Sequence, residues 1–250
     1  MSEAPVDPSH GLIRAQLSRV ERLIGAPREG DHLPAWLRKT RGEHRITVAL
    51  AIIALIVLQL VIKSDLAFEP RYLLPGLELA LLIVISIASP VRITRESMFL
   101  RFLGLALVLV ASLATLYSAW RLASGLVEGT VGKDPVALLL NAAAVWFTIV
   151  IVAALWYWEI DRGGPAARAN ARNPYPDFLF PQMTAPELAK PDWEPTFLDY
   201  LYLSFTNTTA FSPTDVMPLS RWAKLAMTIQ SASSLLLVAL VIARAVNTLG

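Results

Sequence analysis

The chain has 250 residues; 55% are hydrophobic and only 17% are charged, which excludes an ordinary soluble domain and reads as an all-α polytopic membrane protein. Its 22 Lys and Arg stand against 20 Asp and Glu, and the net charge of +2 says little, because distribution matters more than the sum; no nucleic-acid partner is expected. With no cysteine there is neither a disulfide nor a thiolate metal site. All three histidines (His10, His32 and His44) precede the first apolar run, so the apolar part lacks the commonest metal ligand and proton shuttle. No metal and no cofactor is expected.

Residues 1–45 are polar and basic, and read as a cytoplasmic segment. Ser9 is placed to cap a helix with Ile13, Leu17, Val20 and Ile24 on one face and Arg14, Arg19 and Arg22 among them. That helix suits an anionic lipid surface or the side of the bundle equally. Residues 46–158 hold four apolar runs, at 46–62, 72–91, 102–120 and 135–158. A fifth follows at 225–243. Each meets the requirement of about 17 to 25 residues for a spanning helix. Phe68, Tyr72, Tyr117, Trp120 and the run Trp156-Tyr157-Trp158 stand where aromatic belts form. Residues 159–195 form a proline-rich polar loop, which argues against regular structure. Within it, 177–183 is apolar enough to lie at the interface or against the bundle.

Arg and Lys near the span ends set the orientation. Arg38, Lys39, Arg41 and Arg45 precede the first span. Arg92, Arg95 and Arg101 follow the second, and Arg162, Arg168 and Arg172 follow the fourth. The intervening loops carry fewer. The expectation is a multi-pass protein of the cell membrane with a cytoplasmic N-terminus and, with five spans, an external C-terminus.

Residues 196–250 form the last module. Thr196 with Asp199 three residues on is a capping-box-like start. The helix expected at 196–209 has 14 residues and reaches about 21 Å, too short for a bilayer core of about 30 Å. It reads as a half-span that enters and turns back through Ala210, Phe211, Ser212, Pro213, Thr214 and Asp215. Ser204-Phe-Thr-Asn-Thr-Thr-Ala-Phe-Ser-Pro-Thr-Asp215, with Pro218, Trp222 and Lys224, resembles the pore loop of potassium channels. There a pore helix ends in Thr-Thr-Val-Gly-Tyr-Gly-Asp before Pro, Trp and a basic residue. The Tyr202-x-Ser204-Phe205-Thr206 segment also resembles a family of bacterial integral membrane proteins of unassigned function. The potassium-channel resemblance covers about fifty residues. It implies a re-entrant pore helix and loop before the last helix, a homo-oligomer (four chains for a four-fold pore) and monovalent cations as passengers. The filter itself departs. Ser212 and Thr214 replace the glycines that supply positive φ, and Pro213 fixes φ near −65°, so the stacked carbonyls of a potassium filter are not expected. What remains are hydroxyls (Thr208, Thr209, Ser212 and Thr214) and one carboxylate, Asp215.

Two further features carry chemistry. Glu78 lies inside the second apolar run, where an acid either faces a partner or cavity, or snorkels to the interface. In the last helix Gln230, Ser231 and Ser234 share an arc, with Thr228 at its edge; they line a pore or hydrogen-bond to a neighbouring helix. The spans carry no nucleophile–base pair, and Gly132-Lys133-Asp134 lacks the surroundings of a phosphate-binding loop, so no enzyme is expected. Three functional readings follow: a weakly selective cation channel, a non-conducting membrane scaffold with a relic pore fold, and a small transporter using Glu78. Membrane lipids are partners in all three.

Overall fold

Charge-free apolar runs satisfy their own backbone hydrogen bonds by forming helices, and the chain does so along most of its length. The computed structural model describes residues 33–88, 92–93, 97–131, 134–210 and 215–249. Every element below belongs to the unit Pro34–Gly250. The helix expected around Ile13, Leu17, Val20 and Ile24 lies outside the described residues, as do Phe211, Ser212, Pro213 and Thr214.

The long helices are α1 (Arg45–Val61), α2 (Leu73–Ala88), α3 (Met98–Val127) and α4 (Pro135–Ile160). The loop after α4 carries α5 (Pro165–Ala169), strand β1 (Phe178–Leu179) and α6 (Pro181–Thr184). Then come α7 (Phe197–Ala210), strand β2 (Met217–Pro218) and α8 (Arg221–Leu249). The two strands pair antiparallel, Phe178 opposite Pro218 and Leu179 opposite Met217. The proline-rich loop is thus more ordered than its composition suggests. Its aromatic residues explain this, because Phe178, Phe180 and Met183 are buried against the helices.

The central helix is α4. Asp134 caps it, its carboxylate accepting from the amides of Val136 (2.9 Å) and Ala137 (3.3 Å), with Pro135 in the first turn. It packs against α1, α3, α7 and α8. That explains why it is apolar on nearly every side: a helix surrounded by helices has no solvent face to keep polar.

Cross-links fix the direction of each helix. Trp158 at the end of α4 bonds Glu43 just before α1, while Asn141 near its start accepts from the Lys63 amide just after α1. Trp156 bonds Ser112 of α3, and Arg101 at the start of α3 reaches the Gly163 carbonyl. Hence α1 and α3 begin where α4 ends. This end collects Arg45, Arg92, Arg101, Arg162, Arg168 and Arg221, and is called the basic end below.

Three helices, α3, α4 and α8, are long and apolar enough to cross a membrane, with mean hydropathy of 2.2, 2.4 and 2.1 over their best windows. Such helices make this a helical membrane protein. Helices α1 and α2, with 17 and 16 residues, are shorter apolar helices of about 26 and 24 Å. Large apolar side chains stay exposed along α1 (Leu50, Ile53 and Val57), α2 (Leu79, Ile83 and Ile87) and α8 (Leu225, Ile229 and Leu236). Outward-facing apolar rows of this extent suit acyl chains, not water. One expectation fails at the end of α4. Tyr157 and Trp158 are buried and spend their polar atoms on Gln230 and Glu43, so they do not form an aromatic belt.

Candidate functional site: the seam between α7 and α8

The start of α7 follows from local chemistry. Asp199 Oδ2 accepts from both the amide and the hydroxyl of Thr196, each at 2.8 Å, which occupies a donor that a helix start would otherwise leave bare. The Glu43 carboxylate accepts from the next amide, Phe197, at 2.7 Å. Burial pushes the Glu43 carboxyl above its ordinary range, against the bonds from Phe197 and Trp158 that favour its charged form.

Along α7, Ser204, Asn207 and Thr208 recur at helical spacing on the face turned to α4 and α8, and all three are buried. Gln230 of α8 meets them. Its Nε2 donates to the Ser204 carbonyl (3.0 Å), Ser204 Oγ (2.7 Å) and Thr208 Oγ1 (2.5 Å). Its Oε1 accepts from Asn207 Nδ2 at 2.9 Å and from the Tyr157 hydroxyl of α4. One turn on, Ser234 Oγ donates to the Thr208 carbonyl at 3.2 Å and accepts from Trp146 Nε1 of α4 at 3.0 Å. Ser204 Oγ in turn donates to the Val150 carbonyl at 2.7 Å, so three helices share one polar network.

The pairing also gives direction. Ser204 meets Gln230, and Thr208, one turn further, meets Ser234. Helices α7 and α8 therefore run the same way and both start at the basic end. The chain leaves α7 inside the bundle and must return to that end by Arg221. Leu219 donates its amide to the Asp177 carbonyl (2.8 Å) and Trp222 donates Nε1 to Asp177 Oδ1 (2.8 Å), which pins the return.

The expected site residues divide accordingly. Gln230, Ser234 and Thr208 are buried in the seam, whereas Ser231 is half-buried and bonds Asn207 at 3.2 Å. Thr209 and Thr228 are exposed, and each returns its hydroxyl to its own helix, at Phe205 and Lys224. Asp215 is exposed at the start of the return. Of Ala210 only the helical backbone is described. An open groove of about 440 Å³ follows the outer edge of the seam, lined by Asn207, Pro218, Lys224, Thr228 and Ser231 among others.

Glu78 is fully buried and far from this seam. Its Oε1 accepts from Gln59 Nε2 of α1 at 2.9 Å, and Oε2 has no partner among the described residues. Gln59 was not legible as a partner, because nothing in an apolar run shows which helix it faces. Removing either side chain strands the other. The double variant Gln59→Leu/Glu78→Leu is therefore expected to be more stable than either single one. The coupling should be about 1–3 kcal/mol in a thermal double-mutant cycle, and additive losses would refute the pairing.

Beneath the seam, at the basic end, sits a cluster that sequence reasoning missed. The Tyr200 hydroxyl donates to Asp161 Oδ2 at 2.5 Å, and the Asp177 amide donates to Asp161 Oδ1 at 2.8 Å. Arg168 donates to the carbonyls of Trp158 (2.6 Å) and Asp161 (2.9 Å) and lies 5.0 Å from the centre of the Tyr200 ring. Arg162, at φ +54°, donates Nε to the Asn173 carbonyl at 2.7 Å. The signal was Arg162-Gly163-Gly164, a string of positive-φ residues that turns the chain sharply at the end of α4. Among the described residues no group of His, Asp and Glu is arranged to hold a metal ion.

No protein-family model, no curated protein and no solved structure matches this chain, so the reading of the site rests on its geometry.

Proposed function

We propose that the protein is a multi-pass protein of the cell membrane. In this reading it assembles as a homo-oligomer whose α7, return loop and α8 surround a hydrated path for small monovalent cations. One observation carries the reading. The half-length α7 and the long α8 start at the same end, locked by Gln230, so the chain must come back along the length of α7 before α8 begins. Irregular backbone at membrane depth persists only where protein buries it or water reaches it.

The open groove beside Asn207, Lys224, Thr228 and Ser231 supports the water-reached alternative, since it brings these polar side chains to the surface of one chain along the seam. Each chain supplies one such loop, so a ring needs several copies, and four match the potassium-channel-like arrangement that the segment resembles. In this arrangement α1 and α2 are also spans, their shortness met by local thinning of the bilayer. The basic end, and with it the N-terminus, faces the cytoplasm.

Purified protein in planar bilayers is expected to pass cation current with little preference between sodium and potassium. Pro213 and the missing glycines remove the stacked carbonyls that replace an ion's water. Asp215→Asn should lower the cation-over-anion preference. A ten-fold preference for potassium, about 1.4 kcal/mol between the ions, would contradict the hydrated path. Silent bilayers would leave the same fold as a scaffold.

A further inference from the structure

A second cavity, of about 410 Å³, opens between α1, α2, α3 and α4 at the basic end, apart from the α7–α8 seam. Its inner wall is apolar, formed by Val48, Ile52, Leu82, Leu107, Val108 and Leu155. Along α1 it extends from Arg45 to Ile52, about 10 Å at 1.5 Å per residue. Its outer part is different in kind, carrying Arg45, Arg101, Arg172 and Glu159.

Three observations show that the outer part is built to meet a polar group. Glu159 is only 6% exposed, yet no donor reaches its carboxylate among the described residues. Gly104 makes room for that carboxylate: a Cβ there would stand 3.0 Å from Glu159 Oε1. Arg45 keeps a buried Nε without a partner among the described residues. To these the start of α3 adds its amides, because Ser97 makes no side-chain cap and the first turn holds no acid. A helix start of this length is a ready site for an anion.

The charges there sum to a surplus of cations, three arginines against one carboxylate. Arginine suits phosphate, which it can bind through paired N–H groups. The lone carboxylate suits a hydroxyl donor close to that phosphate. Apolar depth below a basic rim is the form taken by lipid-head pockets between membrane helices.

We propose that this cavity binds an anionic amphiphile: a phosphate head with a neighbouring hydroxyl, carried on an acyl or prenyl chain. The chain enters between α1, α2 and α3. The phosphate lies at Arg45, Arg101 and the start of α3, and the hydroxyl donates to Glu159.

Thermal unfolding and native mass spectrometry of the detergent-purified full chain test this. The probes are a short-chain diacyl lipid with a phosphoglycerol head, one with a phosphocholine head, and inorganic phosphate alone. The phosphoglycerol lipid should raise the unfolding midpoint and stay bound, while the other two should give little or no shift. Ala49→Phe, which fills the cavity from α1, should abolish the shift. Arg45→Gln, at the rim, should weaken binding about tenfold, the loss expected for one charge-assisted bond. An equal shift from the phosphocholine lipid, the full shift from phosphate alone, or unchanged binding in Arg45→Gln would overturn the proposal. If Ala49→Phe fails to fold, Arg45→Gln and the three-probe comparison on the natural chain still decide it.

Discussion

Arg168→Met is expected to destabilise the protein by about 3–5 kcal/mol, the loss typical when one member of a buried charge cluster is removed. Arg168 is buried, and its charge faces the carboxylates of Glu43, Glu159 and Asp161. Its guanidinium also bonds two carbonyls at the end of α4 and lies over Tyr200 and Trp158. Methionine fills the volume but removes the charge shared by the three acids, leaves the Trp158 carbonyl without its donor, and leaves the Asp161 carbonyl only the Gly164 amide. Arg168→Lys keeps the charge and should still lose roughly half as much, because a compact ammonium cannot bridge both carbonyls while covering a ring. Unfolding in detergent reads both. A cost under about 1 kcal/mol for Arg168→Met would show that the cluster does not hold the basic end together.

Gln230→Met should cost about 2–4 kcal/mol, although methionine matches glutamine closely in size. Five bonds converge on that amide, from Tyr157 and Asn207 and to Ser204 and Thr208. The two N–H groups of the amide are shared among three acceptors, so at roughly 0.6 kcal/mol for a bond between membrane helices the set gives about 2–3 kcal/mol. The Tyr157 hydroxyl, deep in the bundle, then has no acceptor, which adds the cost of an unpaired polar group. Ser231→Ala provides the contrast. Its bonds to Asn207 are long, at 3.2 and 3.3 Å, and the residue is half-buried, so its loss should stay below about 1 kcal/mol. Equal costs for the two variants would mean that the seam is held by apolar packing and not by Gln230.

Helices and turns were legible where local chemistry decides them. The runs at 46–62 and 135–158 became α1 and α4 within two residues, and Thr196 with Asp199 marked the start of α7 to the residue. The polar stripe of α8 was visible as Gln230, Ser231 and Ser234, but not its partner. A stripe gives an arc on one helix, and only packing selects the helix opposite. The same limit hid Gln59 from Glu78. It also hid the burial of Tyr157 and Trp158, which sit at a span end like belt aromatics but face Gln230 and Glu43. The loop at 159–195 misled for another reason. Its prolines end helices without preventing burial, and Phe178 and Phe180 draw it onto the bundle. The cavity beside Glu159 had no sequence signature, since Gly104 and Glu159 are 55 residues apart and meet only because α3 and α4 run antiparallel.

Single-cysteine labelling tests the re-entrant course of α7 most directly, because the chain has no cysteine of its own. Lys63→Cys, Asp192→Cys and Asp215→Cys each put one thiol on an exposed residue: just after α1, before α7 and before α8. In intact cells an impermeant maleimide should label Lys63→Cys and spare both of the others until the membrane is opened. Labelling of Asp192→Cys and Asp215→Cys from opposite sides would make α7 a full span and contradict the account.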